Sequence, residues 1–232
     1  MPKKEKIRRL FNDISPEYDK LNHILSLNID RLWRKRAVRR IVSRQVQSIL
    51  DVACGTGDFS IAIAKEMAKG SHVTGLDLSE GMLEVMRAKV IKAGLGEKIS
   101  LKVGDCEALP FYDESFDRVS VAFGVRNFEN REQGLREMQR VLKKGGRLVI
   151  LELSLPSNKF MSWLFNLYFF HIVPLIGGKV SGDTAAYNYL PASVKAFPRK
   201  REFKATLSAC GFRNVRHKAL SLGICRMYIG EK

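Results

Sequence analysis

The sequence predicts an α/β domain built on a mostly parallel sheet. Three observations predict it. Short apolar runs alternate with helical patterns through the middle of the chain. One such run ends in a glycine turn that opens a helix, "LDVACGTGDFS" (50–60). Acidic residues then recur where the next two runs end, at Asp77 and Asp105. Parallel sheets bind ligands across the carboxyl ends of their strands, so the three features point to one site.

The first 44 residues read as helical and irregular and precede the first strand. "SILDVA" (48–53) is that strand, and "DFSIAIAKEMAKG" (58–70) a helix stopped by its glycine. "HVTGLDL" (72–78) is the second strand, followed by "SEGMLEVMRAKVIKAG", a helix that Ser79 can cap. "ISLKVGD" (99–105) and "FDRVSVAFG" (116–124) are the third and fourth strands. "REQGLREMQRVLKKGG" (131–146) reads as a helix with basic residues in its last turn and glycines at its end. "RLVILELS" (147–154) is the fifth strand. Residues 155–195 break the alternation and form an insertion. "EFKATLSACG" (202–211) is a helix, and "NVRHKALSLGICRMYIGEK" (214–232) a terminal hairpin that brings the strands to seven. The expected organisation is a helical lid over 1–44 and one α/β domain over 45–232 that carries the insertion.

Composition narrows the classes. Apolar residues at 45% and charged residues at 28% fit an ordinary globule. The net charge of +16 sits at the two ends. Residues 1–44 hold 13 Lys/Arg against 5 Asp/Glu, residues 45–154 hold 15 against 16, and residues 155–232 hold 12 against 3. Such asymmetry suits an anionic partner (a membrane surface, a nucleic acid or an acidic substrate) or simply a solvated surface. The four cysteines form no C-x-x-C pair, which argues against zinc or a disulfide framework; no metal is expected. "MPKKEKIRRL" is charged and leads into no apolar signal region, so a cytoplasmic location is expected.

The glycine turn reads as a nucleotide site. Gly55, Thr56 and Gly57 let a backbone approach a ligand closely, ahead of a helix N-terminus. Asp77, 20 residues past Gly57 and followed by Leu78, can accept both ribose hydroxyls. Asp105 can meet an adenine amino group, with Cys106 offering its backbone amide. Asp51 and Asp58 put carboxylates around the turn, which repel a pyrophosphate and tolerate an ammonium or a sulfonium. The residues therefore favour S-adenosylmethionine over a dinucleotide, and no P-loop pattern occurs. A tight turn in a ligandless domain is the other reading.

"DVACGTGDFS", "GLDLSEGML", "GDCEALPF" and "RVLKKGGRLVILELS", in this order, resemble the Rossmann-like class I S-adenosylmethionine-dependent methyltransferases. "YDKLNHILSLNIDRLWRKRAV" (18–38), "FGVRNFEN" (123–130) and "FFHIVPLIGGKVSGDTAAYNYLPASV" (169–194) are more specific. They resemble the ubiquinone/menaquinone biosynthesis C-methyltransferase family, over nearly the whole chain from Phe11 on. The terminal "GEK" and Ala122 depart from the family pattern, the second putting one cofactor hydrogen bond in doubt. The resemblance implies methylation of a ring carbon of a prenylated quinol, with demethylmenaquinol preferred over the benzoquinol of ubiquinone synthesis.

Such a transfer needs an electron-rich carbon, which a quinol supplies once a ring hydroxyl loses its proton. Arg126, just past the fourth strand, suits the stabilisation of that oxyanion. Its guanidinium stays protonated, so it is a poor direct base, though it can hold an ordered water. An ion pair with Glu129 or a surface acid is the competing reading. Tyr18, with Asp19, can fold over the site as a lid and is the second catalytic candidate. Asn127 fixes the loop or meets substrate, and His171 is either a core histidine or a substrate-pocket residue.

Between Lys159 and Lys179 lie 19 uncharged residues, "FMSWLFNLYFFHIVPLIGG". Ser162, Asn166, His171, Pro174 and the glycine pair make this a poor membrane span. It reads as an apolar lid that touches lipid peripherally, or as a segment packed into the core or a homodimer interface. The basic ends also raise an RNA methyltransferase, but the insertion lacks the basic and aromatic interleaving of a stacking groove, which argues against nucleic acid. A non-catalytic S-adenosylmethionine-binding protein is the remaining alternative.

Overall fold

The computed structural model describes residues 3–156, 158–168 and 184–232. Three helices come first: α1 (Lys3–Ile14), α2 (Tyr18–Leu25) and α3 (Ile29–Ile41). The alternation follows as β1 (Ser48–Val52), α4 (Asp58–Glu66), β2 (His72–Asp77), α5 (Glu80–Lys92), β3 (Ile99–Val103), β4 (Phe116–Ala122), α6 (Arg131–Val141) and β5 (Leu142–Leu153). After it come α7 (Lys159–Leu167), α8 (Thr184–Ala196), α9 (Lys200–Ala209), β6 (Arg213–Leu220) and β7 (Cys225–Glu231). His171 lies outside the described residues.

The seven strands form one sheet in the order β3-β2-β1-β4-β5-β7-β6. Neighbours from β3 to β5 pair in parallel, and β7 runs antiparallel to both β5 and β6. The direction of the chain away from the centre reverses between β1 and β4, where a crevice opens at the strand ends. Helices cover both faces. Trp33, Ile63 and Met86 bring α3, α4 and α5 onto one core. Leu135, Met138, Phe203 and Leu207 bring α6 and α9 onto the other. Each such side chain is worth about 1.5–3 kcal/mol of burial, which is what clamps the strand ends in place.

Two helices are shorter than their sequence patterns predict. The helix at 58–70 stops at Glu66, because Met67 turns extended and buries its side chain. The helix predicted over 131–146 stops at Val141. Leu142 is extended, fully buried and paired with Phe116, so β5 begins five residues earlier than the apolar run at 147 suggests. Lys143, read as a helical C-terminal cation, instead lies 3.0 Å from Asp117 beside the strand. Cross-strand pairing outweighed the helical propensity of the "RVLKK" segment.

The N-terminal helices are fastened across the strand ends. Glu129 accepts the Lys3 backbone N–H at 2.9 Å, the position of an anion at a helix N-terminus. Lys4 Nζ reaches Asp105 Oδ2 at 2.8 Å. Asn12 Oδ1 accepts from Ser79 Oγ at 2.6 Å and from the Gly81 N–H at 3.1 Å. Lys89 of α5 holds Asp19 of α2 at 2.6 Å and Asp58 at 2.5 Å.

Candidate active site

Two pockets meet under these helices. The first lies across the ends of β1, β2 and β4 and is roofed by Lys4, Ile7 and Phe11 of α1. The second is bounded by α2, α3, α7 and α8 and is mostly apolar. Tyr18 and Phe123 line both. Phe123 holds φ at 62° and Ala53 at 51°, left-handed values that cost a non-glycine residue about 1–3 kcal/mol each. The Phe123 backbone stays tied to the sheet, its N–H donating to the Leu151 carbonyl at 2.8 Å. Its ring meets Trp33 at 6.1 Å and sits under the Arg34 guanidinium at 5.5 Å.

In the first pocket, Asp77 accepts the Gly55 N–H at 2.8 Å and the Ser79 N–H at 2.9 Å. Each carboxylate oxygen keeps a further lone pair for a ligand hydroxyl. Burial pushes this carboxyl above its ordinary value, and the N–H groups of Ser79, Gly55 and Leu78 hold part of that rise back. Leu78, Asp105 and Cys106 line the same pocket. Asp105 accepts the Glu107 N–H at 2.9 Å as well as Lys4. Burial, reinforced by Asp105 and Glu107, raises the Cys106 thiol well above its usual value, so it is no nucleophile.

The turn itself divides its labour. At Gly55, φ +55°, an added Cβ would meet nothing within 4 Å, so its space is left to a ligand. At Gly57, φ +83°, a Cβ would lie 2.4 Å from Met86 Cγ. The absence of a side chain at Gly57 is therefore required by the close packing of α5. Two residues beside it have their side chains turned inward. Asp51 is fully buried beneath the turn, accepting Ser60 Oγ at 2.5 Å and Ser120 Oγ at 2.8 Å, and does not reach the pocket wall. Burial, against those two hydrogen bonds, lifts its carboxyl to about 6. The Thr56 side chain is likewise buried, donating to Asp19 of α2.

Arg126 lies at the wall of the apolar pocket. Its partner is not Glu129 but Glu152 of β5, a residue the sequence pattern had absorbed into an apolar strand. Arg126 Nη1 is 2.7 Å from Glu152 Oε1, and the Arg126 backbone N–H donates to Glu152 Oε2 at 3.0 Å. Nη1 also donates to the Phe123 carbonyl. Burial works to lower the Arg126 pKa, but Glu152 and the Tyr18 phenol outweigh it, so the guanidinium stays charged. Its Nε is buried with no hydrogen-bond partner among the described residues. Tyr18 stands nearby; burial raises its phenol, and Arg126 and a hydrogen bond from Asn22 counter that rise.

Asn127 lines the first pocket rather than the apolar one, and its Oδ1 accepts from the Tyr189 hydroxyl at 2.9 Å. Tyr189 thus carries α8 of the insertion onto the loop after β4, a contact the sequence does not announce. His23, Asp30 and Asp58 offer three potential metal-ligand atoms within 4.8 Å of one another. Arg34 and Lys89 already hold these carboxylates, so the cluster is a neutralised ion-pair network.

The chain matches the model of the ubiE/COQ5 methyltransferase family over residues 1–232. It is 46% identical over 230 residues to a demethylmenaquinone methyltransferase of Bacteroides fragilis, covering 99% of this chain and 94% of that protein. It is also 46% identical over 230 residues to the ubiquinone/menaquinone biosynthesis C-methyltransferase UbiE of Geotalea daltonii, covering 99% and 97%. Among solved structures, a SAM-dependent methyltransferase from Aquifex aeolicus superposes with a TM-score of 0.62 at 18% identity, over 85% of this chain and 88% of that one. That likeness establishes the Rossmann-like class I methyltransferase fold.

Proposed function

The chain belongs to the ubiE/COQ5 methyltransferase family, and from that premise we propose that it methylates a ring carbon of a prenylated quinol, demethylmenaquinol, with S-adenosylmethionine as donor. The observation that carries the reading is the junction of the two pockets at Tyr18 and Phe123, with Arg126 on the apolar side and Asp77 on the other. Both relatives' names include menaquinone chemistry, which favours the naphthoquinol over a benzoquinol acceptor.

The first pocket suits the donor. Asp77 and Asp105 would hold it by its ribose and adenine, and Glu107 and Glu129 add negative charge to the walls. That charge disfavours a pyrophosphate and favours a cationic ligand. S-adenosylmethionine bound there supplies an activated methyl group on a sulfonium. Gly55 leaves the room such a ligand needs.

The second pocket suits the acceptor. Trp33, Leu153 and Phe165 offer apolar walls to a fused ring and the first part of a prenyl tail. Arg126, fixed by Glu152, directs positive charge at a quinol oxygen and so favours loss of its proton to solvent. The resulting anion shares its charge with the neighbouring ring carbon. That carbon takes the methyl group as the sulfonium carbon–sulfur bond breaks to give S-adenosylhomocysteine, and the ring then regains aromaticity by releasing the proton of that carbon. Fixed charge in a water-poor site stabilises such an anion without reorganisation. Tyr18, at the boundary, orients the ring hydroxyl and excludes water from the transfer path. A membrane surface is where a substrate of this kind resides.

Purified protein, methyl-labelled S-adenosylmethionine and chemically reduced demethylmenaquinone, held under anaerobic conditions, test the reading beside a reduced polyprenyl benzoquinol. Label on the naphthoquinol ring carbon is the expected result. Label on neither acceptor, with the donor bound, would overturn it.

A further inference from the structure

Helix α8 reaches both pockets through two adjacent residues. Leu190 lines the apolar pocket. Tyr189 sends its hydroxyl to Asn127 Oδ1, 2.9 Å away, and Asn127 lines the first pocket. Neighbouring side chains on a helix point about 100° apart, so one rigid element can touch two sites. The helix is anchored one turn further on, where Val194 is buried and packs with Phe165 of α7. Leu190 and Leu153 of β5 pack against that pair.

The segment that α8 meets is Val125–Asn127, a single 3-10 turn between β4 and α6. Its three residues have three different anchors. Val125 is fully buried in the core. Arg126 is held by Glu152 of β5. Asn127 is held by Tyr189, and among the described residues this is the only hydrogen bond of its side chain.

That bond fixes which way the amide faces. Burial raises the Tyr189 phenol above its ordinary value; Arg126 holds part of that rise back and Glu152 adds to it. The hydroxyl therefore keeps its proton and donates it, and the amide oxygen accepts. The two amide N–H donors are left for the first pocket. Without the hydroxyl the amide can turn over and present its oxygen to walls that already carry Asp77, Asp105, Glu107 and Glu129.

We propose that Tyr189 is a positioning residue that couples the two pockets. A ring seated against Leu190 sets α8, Tyr189 then holds the Asn127 amide toward the donor, and each ligand binds more tightly when the other is present. This rests on the reading that the apolar pocket takes the quinol and the first pocket S-adenosylmethionine. The coupling is reciprocal, as any linkage between two binding equilibria must be.

A bond that merely fastened the helix would, when lost, lower stability and weaken both ligands alike. Calorimetry on the full chain separates the two roles. The affinity for S-adenosylmethionine is measured with and without saturating oxidised demethylmenaquinone of short prenyl tail, whose electron-poor ring takes no methyl group. The expected result is a donor affinity about fivefold or more higher with the quinone present, and the same factor for the quinone when the donor is present. In Tyr189→Phe the quinone alone should bind within about twofold of the wild type while the coupling factor falls to about one. Asn127→Ala should abolish the coupling too, and the double variant should lose no more than either, because the two residues act as one. A factor of about one in the wild type, or a wild-type factor in Tyr189→Phe, would overturn the proposal. If Tyr189→Phe does not fold, coupling retained in Asn127→Ala overturns it alone. Methyl transfer to the reduced quinol, run beside these titrations, keeps the two readings apart. Transfer without coupling removes only the positioning role; coupling without transfer removes only the choice of acceptor.

Discussion

Arg126 and Glu152 form a buried ion pair at the end of two adjacent parallel strands, 2.7 Å between Nη1 and Oε1. Glu152 also accepts the Arg126 backbone N–H, so one carboxylate fixes both the position and the charge of the residue that faces the apolar pocket. Removing one member of a buried pair leaves the other uncompensated, at about 3–5 kcal/mol. Glu152→Gln is expected to lower stability toward that range in urea titration. It should lower turnover about tenfold or more while donor affinity stays within twofold. Glu152→Asp, which keeps the charge, should recover part of both.

Asp77 bonds two backbone N–H groups of the first pocket and is placed to bond a ligand. Asp77→Ala is expected to weaken S-adenosylmethionine binding about 100-fold by calorimetry, the loss of charged hydrogen bonds of about 1.5–3 kcal/mol. Asp77→Asn should fall between the two. Unchanged affinity in Asp77→Ala would remove the ribose role.

The two turn glycines should separate folding from binding. Gly55→Ala meets no atom but keeps a left-handed φ, at about 1–2 kcal/mol. It should cost little more than that in stability while abolishing donor binding. Gly57→Ala drives a Cβ into Met86 and should cost about 3 kcal/mol or more in thermal or urea unfolding. Equal stability losses in the two variants would contradict this division.

Asp51 gives a pH signature. Its folded pKa, about 6, lies above the ordinary carboxylate value, so protonation favours the folded state. The stabilising contribution is full below about pH 4 and is lost as pH rises through 6. Wild-type stability should therefore fall by about 1.4 kcal/mol between pH 5 and 7.5 from this group, about half of the roughly 3 kcal/mol that the whole shift carries. Asp51→Asn should flatten that slope in urea titrations at the two pH values.

The central strands were legible because they are buried on both faces and so read as continuous apolar runs. Asp77, Asp105 and Leu78 were legible for the same reason: they follow where those runs stop. The start of β5 was not, since Leu142 looks helical until its pairing with Phe116 is known. Glu152 left one signal, an acid inside a strand that is otherwise buried and apolar, and only a distant cation explains it. The contacts of Lys4 with Asp105 and of Lys89 with Asp19 join residues far apart in sequence, and no local spacing encodes them. Gly57 matched a ligand pattern, yet its constraint comes from a side chain on another helix. His171 lies outside the described residues, and the sequence alone speaks for it.

The most direct test of the account is the single-turnover rate of ring-carbon methylation by the wild type and by Arg126→Gln, both saturated with labelled S-adenosylmethionine and given reduced demethylmenaquinone. The account predicts a fall of about 100-fold or more in the variant, with the donor bound as tightly as in the wild type. An undiminished rate, or a rate lost only because the donor no longer binds, would contradict the assignment of Arg126 to the quinol oxyanion.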